Sequence, residues 1–344
     1  MGVDVFFVIS GYLITGLLLK ELKDTQGIQF KSFYSKRIKR ILPLSLVVTV
    51  STLFVFSLVL SPLETKELSK TGLIASVFSS NLWFSYLATS YFGSENHLNP
   101  LLHTWSLGVE EQFYLLWPAV LFLFFQAFGF RKVKLLIIIL IIISIFIFLT
   151  QFSNNVPQAF FSPHTRAWQF GFGALIHFLP QLKPDYRYTP SAGVGAGLTL
   201  IVLTSLLIGP EFNSFAAYAI PPTLGAMMVI YFGEKNNAFS TILACRPLVF
   251  IGKISFSLYL WHWPVLVFFQ FSNHSLSSSN LFLAYTIIAL LSIGSFYFIE
   301  ETFRHSSIIK QERTALIAGI SIIAAGCFAV SDHFRLSFPC GATP

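Results

Sequence analysis

An all-α, polytopic transmembrane helical bundle is the fold class this sequence predicts. Three observations carry it. Of 344 residues, 54% are hydrophobic and only 11% are charged, where a soluble domain carries about 25% charged residues. Mean hydropathy is +0.70, which means more apolar surface than a soluble fold of this size can hide. The apolar runs are continuous rather than alternating, which argues against a transmembrane barrel and leaves helices, the other structure that pairs every backbone amide in lipid. Soluble enzymes, disordered chains, fibrous proteins and disulfide scaffolds are excluded with them. The cysteines Cys245, Cys327 and Cys340 are too scattered for a disulfide framework or a metal site.

A span needs about 20 mostly apolar residues. Candidates run over 3–19, 41–61, 71–88, 107–128, 133–152, 164–180, 191–209, 215–232, 254–271, 281–300 and 314–332, with no internal repeat. The loops give the direction. Residues 20–40 hold seven basic side chains, Lys20, Lys23, Lys31, Lys36, Arg37, Lys39 and Arg40, against the acids Glu21 and Asp24. Positively charged loops stay in the cytoplasm. Arg131, Lys132 and Lys134 mark a second such loop; Lys183 and Arg187 a third; Lys235, Arg246 and Lys253 a fourth; Arg304, Lys310 and Arg313 a fifth. The loops 153–163, 210–214 and 272–280 are almost free of Lys and Arg and belong outside. The net charge of +7 is this loop bias, not a nucleic-acid surface.

Alternation fails if 71–88 crosses. It is therefore expected to be re-entrant or interfacial, which leaves about 10 spans and sets 62–106 on the outer side. Met1 is followed at once by apolar residues with no positive n-region, so the start is not expected to be a signal peptide. A chain that opens outside in this way is expected to lack an upstream helix. Residues 1–332 read as the membrane domain. Residues 333–344 read as an outer tail or the start of a linker.

Four clusters could carry chemistry. In 2–15, Asp4 is an acid at a membrane boundary, and Ser10 and Gly11 permit close helix packing. In 33–43, Arg37 and Arg40 are three apart and share a helix face. Their guanidinium forks can clamp a phosphate, or they serve as a plain positive-inside anchor. In 102–118, Glu110 and Glu111 stand at the mouth of a span, where acids are expensive and usually functional. Ser106, Glu110 and Tyr114 share a face at spacing four, and His103 joins it if the helix extends back that far. Glu111 points about 100° away. A His near a carboxylate can act as a base; alternatively the acids answer the helix dipole, with Trp105 and Tyr114 as interface anchors. In 255–264, His262 lies inside a span between two Trp, one turn from Tyr259, with Pro264 kinking the helix.

The order of these motifs is similar to that of the membrane acyltransferase 3 family. The carriers are Gly-Val-Asp-Val-Phe-Phe-Val-Ile-Ser-Gly-Tyr-Leu-Ile-Thr at 2–15, Phe-Tyr…Arg-x-x-Arg-Ile-x-Pro at 33–43, His-Thr-Trp-Ser-Leu-x-Val-Glu-Glu-Gln-Phe-Tyr at 103–114 and Ser-Leu-Tyr-Leu-Trp-His-Trp-Pro at 257–264. The resemblance covers 2 to about 332. It implies an integral membrane O-acyltransferase of the bacterial inner membrane, multi-pass, with its C-terminus outside. The acyl group, usually acetyl, would pass from acyl-CoA to a hydroxyl of an envelope glycan such as lipopolysaccharide O-antigen. Donor-binding carries over onto Arg37 and Arg40, and the Trp-Ser-Leu-x-x-Glu pattern onto Trp105, Ser106 and Glu110. Glu110, His103 and His262 are the expected catalytic residues, with Asp4, Ser10, Trp105, Ser106, Glu111, Tyr114 and Tyr259 in support. Acetyl-CoA is a substrate here, and no bound cofactor or metal is implied. Expected partners are the acyl-CoA, the glycan, membrane lipids and an SGNH-type outer domain, with no nucleic acid. The Arg and His of the family's first helix have no counterpart in this chain, in keeping with the expected missing helix. Two rival readings remain. A glycan transporter or flippase would show inverted repeats and broken helix pairs, which the sequence lacks. An inactive or truncated accessory subunit would need an active partner.

Overall fold

The computed structural model describes residues 2–89, 98–180, 189–207, 215–234, 238–272 and 277–305, and among these it contains helices and no strands. Among the described residues, seven helices are long and apolar enough to cross a membrane: Gly2–Thr25, Phe30–Ser57, Thr104–Phe128, Phe130–Phe152, Pro190–Leu207, Arg246–Phe271 and Ser278–Arg304. The all-α polytopic class holds; the expected count of about ten spans is not matched among the described residues alone. An eighth helix has a shorter apolar stretch, Ala219–Gly233. The segment read as a span at 164–180 is instead a short helix, Ala167–Leu175, closed by a single turn at Ile176–Phe178. At about 1.5 Å per residue it cannot cross the ~30 Å hydrocarbon core. The candidate at 314–332 and the tail at 333–344 lie outside the described residues.

The chain divides into two units. The first takes the described residues of 1–28 and 109–250, the second those of 29–108 and 251–344. In the first, α1 (Gly2–Thr25) runs in the same direction as the Val109–Phe128 part of α5 (Thr104–Phe128). Ser10 meets Glu110 and Thr15 meets Trp117. The short helix α8 (Ala167–Leu175) also runs with α1, and its closest approach is backbone on backbone. A Cβ on Gly11 would sit 2.0 Å from the Phe170 carbonyl oxygen, and one on Gly173 would sit 2.0 Å from that of Val8. Small residues admit such contact between membrane helices. Helices α9 (Thr189–Leu207) and α10 (Phe215–Gly233) also cross closely, at Gly197 and Gly225, where either Cβ would lie 2.6 Å from the other's carbonyl oxygen. Helix α6 (Val133–Asn154) completes the layer against α8, its Ile141 resting on Gly171, and two short helices, α7 (Val156–Phe161) and α11 (Ala238–Leu243), belong to the same unit.

In the second unit, α2 (Phe30–Ser57) packs Leu53 and Phe56 against Leu68 of α3 (Pro62–Ser76) and Val267 of α12 (Arg246–Ser272). The region expected not to cross consists of α3 and α4 (Ser80–Thr89), each too short to span. A capping box starts α3: the Glu64 amide donates to Ser61 Oγ, and the Ser61 amide donates to the Glu64 carboxylate at 2.9 Å. These bonds hold the Glu64 carboxyl below its usual value. The break between α3 and α4 falls at Phe78, whose φ of 55° is left-handed. Helix α13 (Ser278–Ser295) continues through a π-helical turn, Phe296–Glu300, into α14 (Glu301–His305).

Gly11→Ala or Gly173→Ala is expected to lose about 1–3 kcal/mol, because the clash is with backbone that cannot rotate away. Gly294→Ala, where nothing lies within 4 Å of the added Cβ, is expected to be neutral or mildly stabilising. Thermal unfolding of the detergent-purified variants measures the difference.

Candidate active site

The predicted site residues fall into three groups. The first lies in unit 1, along the buried face of α1. Ser10 Oγ donates to Glu110 Oε1 at 2.8 Å, and the Tyr114 hydroxyl contacts that same carboxylate oxygen and also Ser10 Oγ at 3.0 Å. Glu110 is 2% exposed. The spacing of four between Glu110 and Tyr114 brings them together on α5, as the sequence predicts. Glu111 lies half-buried on the adjacent face.

Toward the N-terminal end of α1, Asp4 is also buried. Its Oδ1 receives Arg166 Nη1 at 2.7 Å and Gln169 Nε2 at 2.6 Å. Arg166 donates from Nε to the Phe160 carbonyl at 3.2 Å and lies over the Phe160 ring. Only 2% of Arg166 is exposed. Sequence reasoning missed Arg166 and Gln169. The available signal was that Arg166 is the single Lys or Arg between Lys134 and Lys183, and an isolated charge in an apolar stretch is costly unless paired.

The second group lies in unit 2. Helix α5 begins at Thr104, so His103 sits in the preceding turn and not on the helical face of Glu110. Its ring lies 5.6 Å from that of Tyr259 and 5.7 Å from that of His262, centroid to centroid. The Tyr259 hydroxyl donates to the His103 carbonyl and lies 2.5 Å from Ser106 Oγ. His262 Nδ1 donates to the Tyr259 carbonyl, and Trp263 Nε1 donates to that of Asn99 at 2.8 Å. Trp105 is buried beside Ser106 in the sequence. His103 is buried with neither ring nitrogen in a well-formed hydrogen bond. Burial pushes its pKa down to about 3; the nearby His262 adds to this, and backbone groups of Leu260 and Pro100 offset part of it. The His103 imidazole is therefore neutral at pH 7.

The third group, also in unit 2, is Arg37 and Arg40 on α2. Arg37 is half-buried, with its guanidinium 6.0 Å from the centre of the Phe33 ring, and Arg40 is exposed. Arg40 lies within electrostatic reach of Glu300, a buried acid in the π-helical turn that receives Ser257 Oγ at 3.2 Å. Glu300 was hidden as the last residue of an apolar candidate span. Among the described residues no cluster of His, Cys, Asp and Glu could hold a metal ion.

A family model described as an acyltransferase domain matches residues 1–301. The chain belongs to the acyltransferase 3 family. Among its relatives are the peptidoglycan O-acetyltransferase OatA of Listeria monocytogenes, 30% identical over 90% of this chain and 52% of the relative, and the O-acetyltransferase OatA of Staphylococcus aureus, 30% identical over 78% of this chain and 46% of the relative. The chain thus spans about half the length of the curated relatives it matches. No solved structure matches it.

Two outcomes are expected. Breaking one side of the buried ion pair, by Asp4→Asn or Arg166→Met, is expected to cost about 3–5 kcal/mol, and the double variant Asp4→Leu/Arg166→Met less than the sum. Thermal unfolding of the three variants reads this. Folded His103 binds no proton between pH 6.5 and about 3, whereas the unfolded chain does, so stability drops as pH falls through that window. Unfolding midpoints taken from pH 7 to pH 4 are expected to fall less steeply for His103→Gln.

Proposed function

We propose that this chain is the membrane part of an O-acetyltransferase of a cell-envelope glycan. The observation that carries this reading is the buried Ser10–Glu110–Tyr114 cluster in a chain that matches the acyltransferase family over residues 1–301. A carboxylate held in the apolar part of a membrane bundle by two hydroxyls is expensive to keep and is a functional group by default.

The donor is an acyl-CoA, with acetyl as the acyl group. A sugar hydroxyl attacks the thioester carbonyl, a C–O bond forms as the C–S bond breaks, the hydroxyl proton passes to a base, and the thiolate leaves to be protonated. His103 and His262, which lie together beside Tyr259, orient the attacking hydroxyl or relay its proton. Glu110 relays or orients the proton, with Ser10 and Tyr114 fixing its carboxylate. Arg37 and Arg40 hold the phosphates of the donor, a task suited to two guanidinium forks on one helix face. Asp4, Trp105, Ser106, Glu111 and Tyr259 support these groups. The scheme uses no resident cofactor.

The resemblance of the motifs pointed to lipopolysaccharide O-antigen as acceptor. The Listeria relative, a peptidoglycan O-acetyltransferase, supports peptidoglycan instead. The loop charges support a bacterial cytoplasmic membrane with the acceptor on the outer side.

The test is ester-linked acetate, released by mild base from purified peptidoglycan and, separately, from lipopolysaccharide, in cells carrying the full-length gene or its variants. Glu110→Gln and His103→Gln are each expected to lower acetate on one glycan by about a hundredfold or more at unchanged protein level. Arg37→Ala is expected to raise the KM for acetyl-CoA. Acetate at the wild-type level in Glu110→Gln would overturn the reading.

A further inference from the structure

A cleft at the C-terminal end of α1 has no part in the scheme above. Its volume is about 280 Å³, near the lower end of small-ligand pockets. It lies wholly within unit 1, where the end of α1 meets the turn before α6 and the turn after α8. Two basic loops of the sequence, 20–40 and 131–134, begin at this cleft.

Its chemistry comes from four features. Lys20 and Lys23 are both exposed and lie three apart on one face of α1. The Lys23 ammonium sits 4.9 Å over the ring of Phe130, which restrains a side chain that is otherwise mobile. His177 is fixed twice: its Nε2 bonds the Tyr12 carbonyl at 2.7 Å, and its ring stacks on that of Tyr12 at 4.5 Å and 2°. Gly16 keeps the floor open, since a Cβ there would meet His177 Cε1 at 2.6 Å. Asp24 at the same rim cancels one of the two lysine charges. Charge alone is then modest, and a ligand gains most by adding apolar or ring contact with Phe130 to an anionic head.

We propose that this cleft binds a phosphate group carried on a larger ligand, with Lys20 and Lys23 as its cationic partners. The phosphate is the shared chemistry of two sources, the headgroup of an anionic phospholipid and the phosphates of a soluble nucleotide. Lysines bind phosphate as point charges and tolerate either geometry. The inference stands independently of the acyl-transfer reading.

The experiment uses the full chain in nanodiscs of phosphatidylcholine, with or without phosphatidylglycerol. Adenosine 3′,5′-bisphosphate is the soluble probe, titrated calorimetrically, and native mass spectrometry counts retained phosphatidylglycerol. The variants are Lys20→Ala/Lys23→Ala and the charge-keeping Lys20→Arg/Lys23→Arg. If the nucleotide is the ligand, the alanine pair weakens the probe by about tenfold or more and leaves lipid retention unchanged. If the lipid is the ligand, retained phosphatidylglycerol is lost and probe binding does not change. In both cases the arginine pair binds as the wild type does, which separates lost charge from lost fold. The alanine pair matching the wild type in both assays would overturn the proposal, as would equal loss in the arginine pair.

Discussion

The backbone contact between α1 and α8 is the constraint on which unit 1 depends. Gly11 and Gly173 let the two helices approach until each would-be Cβ position is filled by the other's carbonyl. That approach places the start of α8 beside the start of α1, so Arg166 and Gln169 can reach Asp4. A wider crossing would leave Asp4 and Arg166 as two unpaired buried charges, which is strongly destabilising. The chain turns at Arg166 so that its guanidinium faces inward, and only nine helical residues remain before the turn at Ile176–Phe178.

From that fixed contact, α1 acts as a spine. Asp4, Ser10 and Thr15 lie on its buried face, and each has a partner elsewhere in unit 1: Arg166, just before α8, for Asp4, and on α5 Glu110 and Tyr114 for Ser10 and Trp117 for Thr15. Successive partners on α5 advance in step with α1, as parallel helices require. The polar groups are thereby satisfied by one another rather than by solvent, the condition for keeping them in an apolar bundle. Unit 2 meets the same condition by other means. Its helices pack through Leu53, Phe56 and Val267, and its polar groups gather near Tyr259, which bonds the carbonyl preceding α5, and near Glu300, in a π-helical turn next to Ser257. Extra backbone turns of this kind are common at functional sites.

Much of this was legible in the sequence. Hydropathy alone points to the all-α membrane class, and the charge alternation of the loops predicts that 71–88 does not cross, in keeping with its break at Phe78 into helices too short to span. Spacing put Glu110 and Tyr114 together, because a four-residue repeat is a local property of a helix. What escaped was long-range. Nothing local marks Arg166 as the partner of Asp4, 162 residues away, and the apolar run at 164–180 looked like a span because its polar start is buried. Helix α5 stops one residue short of His103, which a motif read as a continuous helix could not reveal. The chemistry-bearing types were found by their cost in lipid, whereas their partners had to come from the fold.

The most direct test of this arrangement is a double-variant cycle on Ser10 and Glu110, read as acetate ester formed per cell by the full-length protein. If the two side chains act as one cluster with Tyr114, Ser10→Ala combined with Glu110→Gln is expected to lose no more activity than the worse single variant. Losses that multiply, as for independent sites, would contradict the claim that α1 and α5 together build one functional group.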